Sequence, residues 1–246
     1  DHDAAPRVAM IRAAAFFDLD GTLLAVNSGR LWLSHERAHR RLTAQDAAKG
    51  LAYLVAYKLG LVDVRMALGL AAAALRGRPE REFEESVHRW YEEHVRPLRA
   101  PLADRAIERH RAAGHRLVLL TTSTVYQAAI AARDFGLDDH LGTRFAVADG
   151  RFTGALVHPV PFGRGKVELA EEYAAREGIS LEHSYFYSDS ITDLPMLERV
   201  GHPRIVNPDP RLALVAKLRS FPVLDWGRPE VPYDRTLVQK VTSLFR

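Results

Sequence analysis

The acidic residues Asp18 and Asp20 follow directly on the apolar run Ala13 to Phe17, within the segment Asp-Leu-Asp-Gly-Thr. Two carboxylates at the end of a buried strand are costly unless they bind a cation or take part in a reaction. Mg²⁺ prefers hard oxygen ligands and shares its remaining coordination with water and phosphate. A carboxylate can also attack phosphorus and form an acyl-phosphate. The simpler alternative is that either aspartate caps the turn that follows.

A second acidic pair, Asp189 and Asp193, follows the aromatic run Ser184 to Tyr187. By itself this pair is also explained by a capping box from Ser190 to Asp193 at the start of a helix. Two acidic clusters at the ends of adjacent strands would form a cup of four carboxylates, in which a cation relieves the repulsion. The two clusters together therefore favour a metal site.

Lys166, Thr121 and Thr122 are candidate phosphate-binding residues. Lys166 begins a predicted helix after two glycines, but the segment is not a P-loop, because Val167 stands where Ser or Thr is needed. The two threonines follow the apolar run Arg116 to Leu120, where hydroxyl and backbone N–H groups can hold a phosphate at a helix N-terminus. The ordinary alternatives are a solvated surface lysine and an N-cap threonine.

The elements that must position these residues alternate between strands and helices after residue 102. The predicted strands are Ala13–Phe17, Arg116–Leu120, Thr143–Val147, Ser184–Tyr187 and Arg204–Val206. The predicted helices in this part are Ala103–Ala113, Val125–Phe135, Lys166–Glu177, Leu194–Val200 and, near the end, Thr236–Phe245. Such alternation predicts an α/β fold with a parallel sheet and helices on both faces, and places ligands at the carboxyl ends of the strands.

Residues 26–97 differ from this pattern, because strand signals are nearly absent and helix formers dominate. The predicted helices here are Leu31–Arg41, Ala44–Leu59, Val64–Leu75 and Glu80–Val95. We therefore expect a discontinuous core of residues 13–25 and 98–225 and an all-α cap domain of residues 26–97 inserted after the first strand. Residues 1–12 and 226–246 are expected to form terminal tails.

The order of these motifs resembles that of the haloacid dehalogenase (HAD) superfamily of hydrolases: Asp-Leu-Asp-Gly-Thr, a strand-end threonine, a helix-start lysine, then Ser-Asp-Ser-Ile-Thr-Asp. The resemblance covers about residues 13–225, and the two aspartate segments are its specific part. Within the superfamily the chain looks closest to the phosphoserine-phosphatase-like branch (subfamily IB). That resemblance implies a Rossmann-like core with a helical cap, and a phosphatase that hydrolyses a small phosphomonoester through an aspartyl-phosphate.

The resemblance also implies a role for each acidic residue. Asp18 corresponds to the nucleophile, which also binds magnesium (Mg²⁺) as the cofactor. Asp20 corresponds to the general acid and base, with its backbone carbonyl toward the metal. Asp189 corresponds to the second metal carboxylate, and Asp193 to a supporting acid.

The remaining motif residues correspond to the phosphate clamp and to the turn that holds the acids. Thr121, Thr122 and Lys166 correspond to the clamp, where positive charge and hydrogen-bond donors stabilise the transferred phosphoryl group. Gly21 allows the tight turn after the acids, and Thr22 is expected to stabilise that turn by a hydrogen bond.

Two positions depart from the branch. Ser188 stands where a glycine is usual, and Asn27 stands where an acidic residue would bind the ammonium group of phosphoserine. Because an amide cannot pair with an ammonium as a carboxylate does, phosphoserine becomes an alternative substrate. Asn27, Ser28, Arg30 and Trp32 are the candidate substrate contacts. Their ordinary alternatives include Ser28 as a helix N-cap and Trp32 as a core residue.

Three other functions stay open: a phosphoserine phosphatase proper, a phosphotransferase that uses an alcohol as acceptor, and a non-enzymatic ligand-binding or regulatory protein on the same fold. The complete set of Asp18, Asp20, Lys166 and Asp189 favours an enzyme over a protein that has lost its reaction. The expected partner is a small phosphorylated substrate, and the sequence leaves the oligomeric state open.

Composition excludes several classes of protein. The 246 residues are 47% hydrophobic, which is enough apolar material for a substantial core. With 34 Lys and Arg against 31 Asp and Glu, and no basic tract interleaved with aromatics, nucleic acid is not an expected partner. The chain has no cysteine, which excludes disulfides and thiolate zinc sites and fits a reducing cytoplasm.

Stable membrane insertion is not expected either. Leu51 to Leu75 is the longest apolar stretch, but Lys58, Asp63 and Arg65 interrupt it before it could span a bilayer. The first residues show no signal-peptide pattern, so the expected location is the cytoplasm.

Overall fold

The computed structural model describes residues 12–38 and 64–227. In this part of the chain, seven strands form one sheet in the order β4-β3-β2-β1-β5-β6-β7. The strands are β1 (Ala14–Phe17), β2 (Arg116–Thr124), β3 (Asp139–Ala148), β4 (Arg151–Val157), β5 (Tyr185–Ser188), β6 (His202–Val206) and β7 (Val223–Leu224). The central strand β1 runs parallel to both β2 and β5.

Eight α-helices lie within the described residues. They are α1 (Ser28–Ala38), α2 (Val64–Ala74), α3 (Glu80–Trp90), α4 (Ala103–Ala112), α5 (Val125–Asp134), α6 (Arg164–Glu177), α7 (Leu194–Arg199) and α8 (Pro210–Arg219). A π-helical turn (Tyr91–Val95) and 3₁₀ turns (Arg96–Leu98, Leu181–His183 and Ile191–Asp193) complete the helical structure. None of the described helices is long and apolar enough to cross a membrane.

The strand β1 divides the core into two buried clusters, because alternate side chains of a strand point to opposite faces of the sheet. Ala15 and Phe17 join the cluster that is completed by α3, α4 and α5. Ala14 and Phe16 join the cluster that is completed by α6, α7 and α8. The predicted Rossmann-like arrangement with helices on both faces is therefore confirmed.

The sheet is mostly parallel, and its antiparallel part lies at the edge formed by β3 and β4. β3 and β4 form an antiparallel hairpin, in which Arg144 pairs with Val157 and Ala148 pairs with Arg151. Asp149 and Gly150 connect them with φ values of 50° and 71°. Asp-Gly in this left-handed conformation is a favoured two-residue hairpin turn, because its twist matches that of the flanking strands.

The described part of the predicted cap is joined to the sheet by backbone hydrogen bonds. The N–H of Gly77 donates to the carbonyl of Phe152 (2.8 Å), and the N–H of Phe152 donates to the carbonyl of Arg78 (3.1 Å). Phe83 and Trp90 belong to the same buried cluster as Phe17 of the central strand. The cap boundaries at residues 26 and 97 stay a prediction. The predicted helices Ala44–Leu59 and Thr236–Phe245 lie outside the described residues.

Candidate active site

Three strand ends meet at one edge of the sheet. Phe17 pairs with Leu119 of β2 on one side and with Tyr187 of β5 on the other. The residues that follow these pairs therefore lie side by side, and the N–H of Asp18 donates to the carbonyl of Tyr187 (2.9 Å). This register brings the Asp-Leu-Asp-Gly-Thr turn, the threonines in the last part of β2 and the Asp189 loop to one place, as the parallel-sheet rule predicts.

Lys166 lies among these strand ends and is buried, so it is not a solvated surface lysine. Its side chain is 1% exposed, and its Nζ donates to Asp18 Oδ1 (2.8 Å) and to Asp193 Oδ2 (2.7 Å). The hydroxyl of Ser188 also donates to Asp193 Oδ2 (2.7 Å). A buried charge is stable only with close partners, so these contacts fix the positions of both carboxylates. The serine that departs from the family pattern thus has a defined contact.

The two glycines before Lys166 are each required for a different structural reason. Gly163 precedes α6 with φ of +54°, a conformation that side chains disfavour. At Gly165 a Cβ atom would lie 1.9 Å from the carbonyl oxygen of Val160, so only glycine fits. This close approach sets the start of α6 against the preceding loop, and the first turn then directs Lys166 inward.

Asp189 is placed by the loop that ends β5 and by a residue far along the chain. Its carbonyl accepts a hydrogen bond from the N–H of Asp209 (2.8 Å), and the Asp209 carboxylate accepts from the N–H of Ile191 (2.8 Å). Asp209 also caps α8 through the N–H groups of Arg211 and Leu212. This function of Asp209 was not predicted from the sequence, although the Asn-Pro-Asp segment after β6 is typical of a turn before a helix.

The carboxylate of Asp20 is held by its own chain. Its Oδ1 accepts from the N–H of Ser28 (2.6 Å), and its Oδ2 accepts from the hydroxyl of Ser123 (3.3 Å). The hydroxyl of Ser28 in turn accepts from the side-chain amide of Gln127 (2.6 Å). Neither Ser123 nor Gln127 was predicted from the sequence to belong to the site. The only sequence feature that points to Ser123 is its place in the Thr-Thr-Ser run, and no local feature points to Gln127.

The threonines of the two motifs have different surroundings. Thr121 is buried, and its hydroxyl oxygen accepts from the N–H of Ser123 (3.1 Å). Thr122 was predicted to bind phosphate, but its hydroxyl donates to the carbonyl of Pro161 (2.8 Å) and so holds the loop before α6. Thr22 stabilises its turn through the backbone, because its N–H donates to the carbonyl of Leu19 (3.3 Å), whereas its buried hydroxyl has no hydrogen-bond partner among the described residues. The N–H of Leu24 donates to the same carbonyl (2.8 Å).

The four candidate substrate contacts have different positions. Asn27 is the N-cap of α1, since its Oδ1 accepts from the N–H of Arg30 (3.0 Å). The expectation that Ser28 is the cap is therefore wrong, because Ser28 is buried and bonded to Asp20 and Gln127. Arg30 is exposed. The ring of Trp32 packs edge-on against another tryptophan, with centroids 5.0 Å apart.

Burial raises the pKa of three acidic residues of the site, Asp18, Asp20 and Asp189. Burial raises the pKa of Asp18 from 3.8 to about 7, although the charge of Lys166 opposes the shift. Burial, together with the charges of Asp18 and Asp193, raises the pKa of Asp189 to about 8. The pKa of Asp20 is also raised by burial, against the hydrogen bonds from Ser28. Burial disfavours the charge of Lys166, but its two carboxylate partners outweigh this and raise its pKa.

These contacts correct the predicted cup of four carboxylates. Asp193 is engaged by Lys166, and the carboxylate of Asp20 is engaged by Ser28. Lys166 also contacts Asp18, but only through Oδ1, so Asp18 Oδ2 and the carboxylate of Asp189 are hard oxygen donors that can hold a divalent cation. No group of three or more His, Cys, Asp or Glu side chains in residues 12–38 and 64–227 is arranged around a metal position. A site of two carboxylates, completed by carbonyl, water and phosphate oxygens, agrees with this finding.

Comparison of this sequence with known proteins shows which family the chain belongs to. The family model for haloacid dehalogenase-like hydrolases matches residues 15–198. A Mycobacterium tuberculosis (strain ATCC 25618 / H37Rv) protein named "probable phosphatase" is 35% identical over 94% of this chain and 80% of its own length. A phosphoserine phosphatase of the same strain is 34% identical over 88% of this chain and 71% of its own. A histidinol-phosphatase of Neisseria meningitidis serogroup C (strain 8013) is 28% identical over 86% and 98%, respectively.

Solved structures share the fold. A protein of unknown function from Bordetella pertussis Tohama I matches with a TM-score of 0.79 and 30% identity, over 88% of this chain and 100% of that one. A phosphoserine phosphatase solved as a phospho-aspartyl intermediate analogue matches with a TM-score of 0.62 over 95% of this chain and 99% of that one. Because the two sequences are only 18% identical, this match shows a shared fold and no more.

Proposed function

We propose that this chain, which belongs to the haloacid dehalogenase-like hydrolase family, is a phosphatase that transfers the phosphoryl group of a small phosphomonoester to Asp18 and then to water. The observation that carries the proposal is the buried bridge from Lys166 to Asp18 and Asp193 at the carboxyl ends of the strands. Buried charged groups in such a place are unusual without a function. The names of the curated relatives as phosphatases support the same activity.

In the first step, a carboxylate oxygen of Asp18 forms a bond to phosphorus while the bond from phosphorus to the alcohol oxygen breaks. Asp20 gives its proton to that oxygen, so that a neutral alcohol leaves. The raised pKa of Asp20 favours the protonated form that this step needs. The positive charge of Lys166 offsets the repulsion between Asp18 and the phosphate oxygens.

In the second step, the oxygen of a water molecule attacks phosphorus, and Asp20 takes up one of the water protons. The bond from phosphorus to Asp18 then breaks, which releases inorganic phosphate and returns both aspartates to their starting forms. Asp20 thus serves as acid and then as base, and it must stay in one position through both steps. Its contacts with Ser28 and Ser123 support such a fixed position.

Asp18, Asp189 and the backbone carbonyl of Asp20 are the residues that would hold Mg²⁺. Their hard oxygen donors match the ligands that Mg²⁺ prefers, and two protein carboxylates are typical of its sites. When bound, the ion supplies positive charge to the phosphate oxygens. In the metal-free protein, burial and repulsion from Asp18 raise the pKa of Asp189, so that a proton offsets the charge that the ion would otherwise neutralise.

The proposed substrates are small polar phosphomonoesters, with phosphoserine itself as the alternative. Relatives named phosphoserine phosphatase and histidinol-phosphatase are both similar to this chain over more than four fifths of its length. Asn27 stands at the position where the branch carries an acidic residue, and its side chain caps α1. A preference for the ammonium group of phosphoserine is therefore not expected. A cytoplasmic location stays a prediction, based on the lack of cysteine.

The test is phosphate release from a panel that contains phosphoserine, histidinol phosphate, sugar phosphates and an aryl phosphate, measured with Mg²⁺ and with EDTA. We expect release of phosphate that EDTA stops and Mg²⁺ restores. The Asp18→Asn variant should be folded and inactive, because an amide cannot form the acyl-phosphate. Equal activity of this variant and the parent, or activity that survives EDTA, would contradict the proposal.

A further inference from the structure

We infer that Gln127 is a positioning residue for Asp20, acting through the side chain of Ser28; the inference rests on the proposed role of Asp20 as general acid and base. The side-chain amide of Gln127 donates to the hydroxyl oxygen of Ser28 across 2.6 Å. Both residues are buried: Gln127 is 6% exposed and Ser28 is 0% exposed. Neither residue contacts Lys166 in any hydrogen bond of the site.

The contact between Asp20 and Ser28 has a helical origin. Ser28 is the first residue of α1, and the first N–H groups of a helix have no partner within the helix. Asp20 Oδ1 accepts this N–H at 2.6 Å, where the positive end of the helix dipole also favours a carboxylate. The position of Ser28 therefore determines where this N–H donor meets the carboxyl group of Asp20.

The chemistry of the amide fixes the direction of these hydrogen bonds. An amide NH₂ group can only donate, so the Ser28 oxygen must accept from Gln127. Gln127 therefore holds the Ser28 side chain in one orientation, and with it the residue whose N–H donates to Asp20.

Gln127 is itself held from the core. It lies in the first turn of α5, where its N–H donates to the hydroxyl of the N-cap Thr124 (3.4 Å). The next residue, Ala128, is fully buried in the cluster that includes Phe17 of β1. The chain of contacts thus runs from a rigid helix of the core, through the first residue of α1, to the carboxylate of Asp20. Such support is what holds a catalytic group within a fraction of an ångström of its working position.

The consequence for the reaction depends on the leaving group. An alkyl alcohol is a poor leaving group and needs the proton from Asp20, whereas an activated phenol leaves with little help. Loss of Gln127 should therefore slow the hydrolysis of alkyl phosphates more than that of aryl phosphates. A general loss of folding or of substrate binding would slow both kinds of ester alike.

The experiment compares kcat/KM for an alkyl phosphate and for p-nitrophenyl phosphate in the parent and three variants. Gln127→Leu has a side chain of similar size that cannot donate, and the carboxylate of Gln127→Glu can only accept, so neither variant donates to the Ser28 hydroxyl. Tyr126→Phe is the matched control. It removes the neighbouring hydrogen bond from Tyr126 to Glu80 (2.6 Å), which joins α5 to α3 without involving Asp20.

We expect the ratio of alkyl to aryl kcat/KM to fall about tenfold in both Gln127 variants, a part of the 10²- to 10⁴-fold that proton transfer supplies. The ratio should match the parent in Tyr126→Phe, whatever the absolute rates. Equal losses for both esters in the Gln127 variants, or the same change in ratio in Tyr126→Phe, would overturn the inference.

Hydrogen exchange of the backbone amides at the start of α1 provides a readout that needs no activity. Gln127→Leu should speed the exchange of the Ser28 amide about tenfold, because its acceptor Asp20 is less firmly held. Unchanged exchange would overturn the inference even in an active enzyme. If the parent releases phosphate from no ester, the proposed function fails, and the exchange result alone decides whether Gln127 positions Asp20.

Discussion

The carboxylate of Asp189 occupies the space that a side chain at Gly21 would need. A Cβ atom at Gly21 would lie 2.1 Å from Asp189 Oδ2, well inside any contact distance, and the backbone there has φ of +78°. The glycine after the first acidic pair thus allows the turn and also lets the second acidic loop reach the site. Two motifs separated by most of the chain are matched to each other in space.

Gly21→Ala should therefore abolish most of the activity and weaken metal binding. The added methyl group displaces the Asp189 carboxylate, in addition to the strain of about 1–2 kcal/mol for a left-handed residue. Phosphate release and metal titration by calorimetry measure the two effects. Gly150→Ala is the matched control, because Gly150 has φ of +71° but no atom within 4 Å of a built Cβ. Equal losses in the two variants would refute the explanation by displacement.

Lys166→Met should destabilise the protein as well as inactivate it. Removal of the only cation that contacts Asp18 and Asp193 among the described side chains leaves two buried carboxylates without their partner. Loss of one member of a buried ion pair costs about 3–5 kcal/mol. Urea unfolding in EDTA gives the free energy of unfolding, with the exposed Lys217→Met as control. A variant as stable as the parent at pH 8 would contradict this prediction.

The stability of the metal-free protein should fall as the pH rises through 7 and 8. Asp189 has a pKa of about 8 in the folded protein and an ordinary value of 3.8, so the folded state holds a proton that the unfolded state has lost. Such a group stabilises the fold at low pH, and this contribution disappears above its folded pKa. Urea midpoints in EDTA between pH 6.5 and 9 measure the effect. Asp189→Asn should flatten the profile, and a midpoint that rises with pH would contradict the assignment.

His110 should have the opposite pH dependence. Burial, followed by the neighbouring His115, lowers the pKa of His110 from 6.5 to about 4. Its two ring nitrogens lie 2.8 Å from His115 Nδ1 and 2.8 Å from the hydroxyl of Tyr187. The unfolded state therefore takes up a proton first, and stability is lost as the pH falls from 6.5 toward 4. The unfolding midpoint of His110→Gln should fall less steeply over this range, and an equal slope would contradict the prediction.

The sequence predicts the fold and the acidic part of the site well, for a physical reason. Short apolar runs that end in polar residues identify buried parallel strands, and the ends of such strands must meet. The sequence alone is therefore enough to place Asp18 and Asp189 together. The sequence position of Lys166 also fits a solvated lysine at the start of a helix, and only its burial in the structure reveals its partners.

What could not be predicted depends on contacts between distant segments. Gln127 reaches Ser28 across 99 positions of the chain, and no local pattern predicts that these two residues meet. The choice of Asn27 rather than Ser28 as the cap of α1 depends on where the helix begins, which sequence patterns locate only within a few residues. The use of the Thr122 hydroxyl against Pro161 follows from the loop before α6, whose path is set by tertiary packing.

The pairing of residues 77–80 with the β3–β4 hairpin also affects how the protein avoids association with other molecules. β4 is the last strand of the sheet on its side, and an unpaired edge strand invites another chain to add to it. The backbone bonds between Gly77 and Phe152, and between Glu80 and Gly150, cover part of that edge. A shortened protein without residues 26–97 would expose both the edge and the apolar ring of Phe152. We expect such a fragment to aggregate, because residues 77–80 would no longer cover part of the β4 edge against strand addition by another molecule.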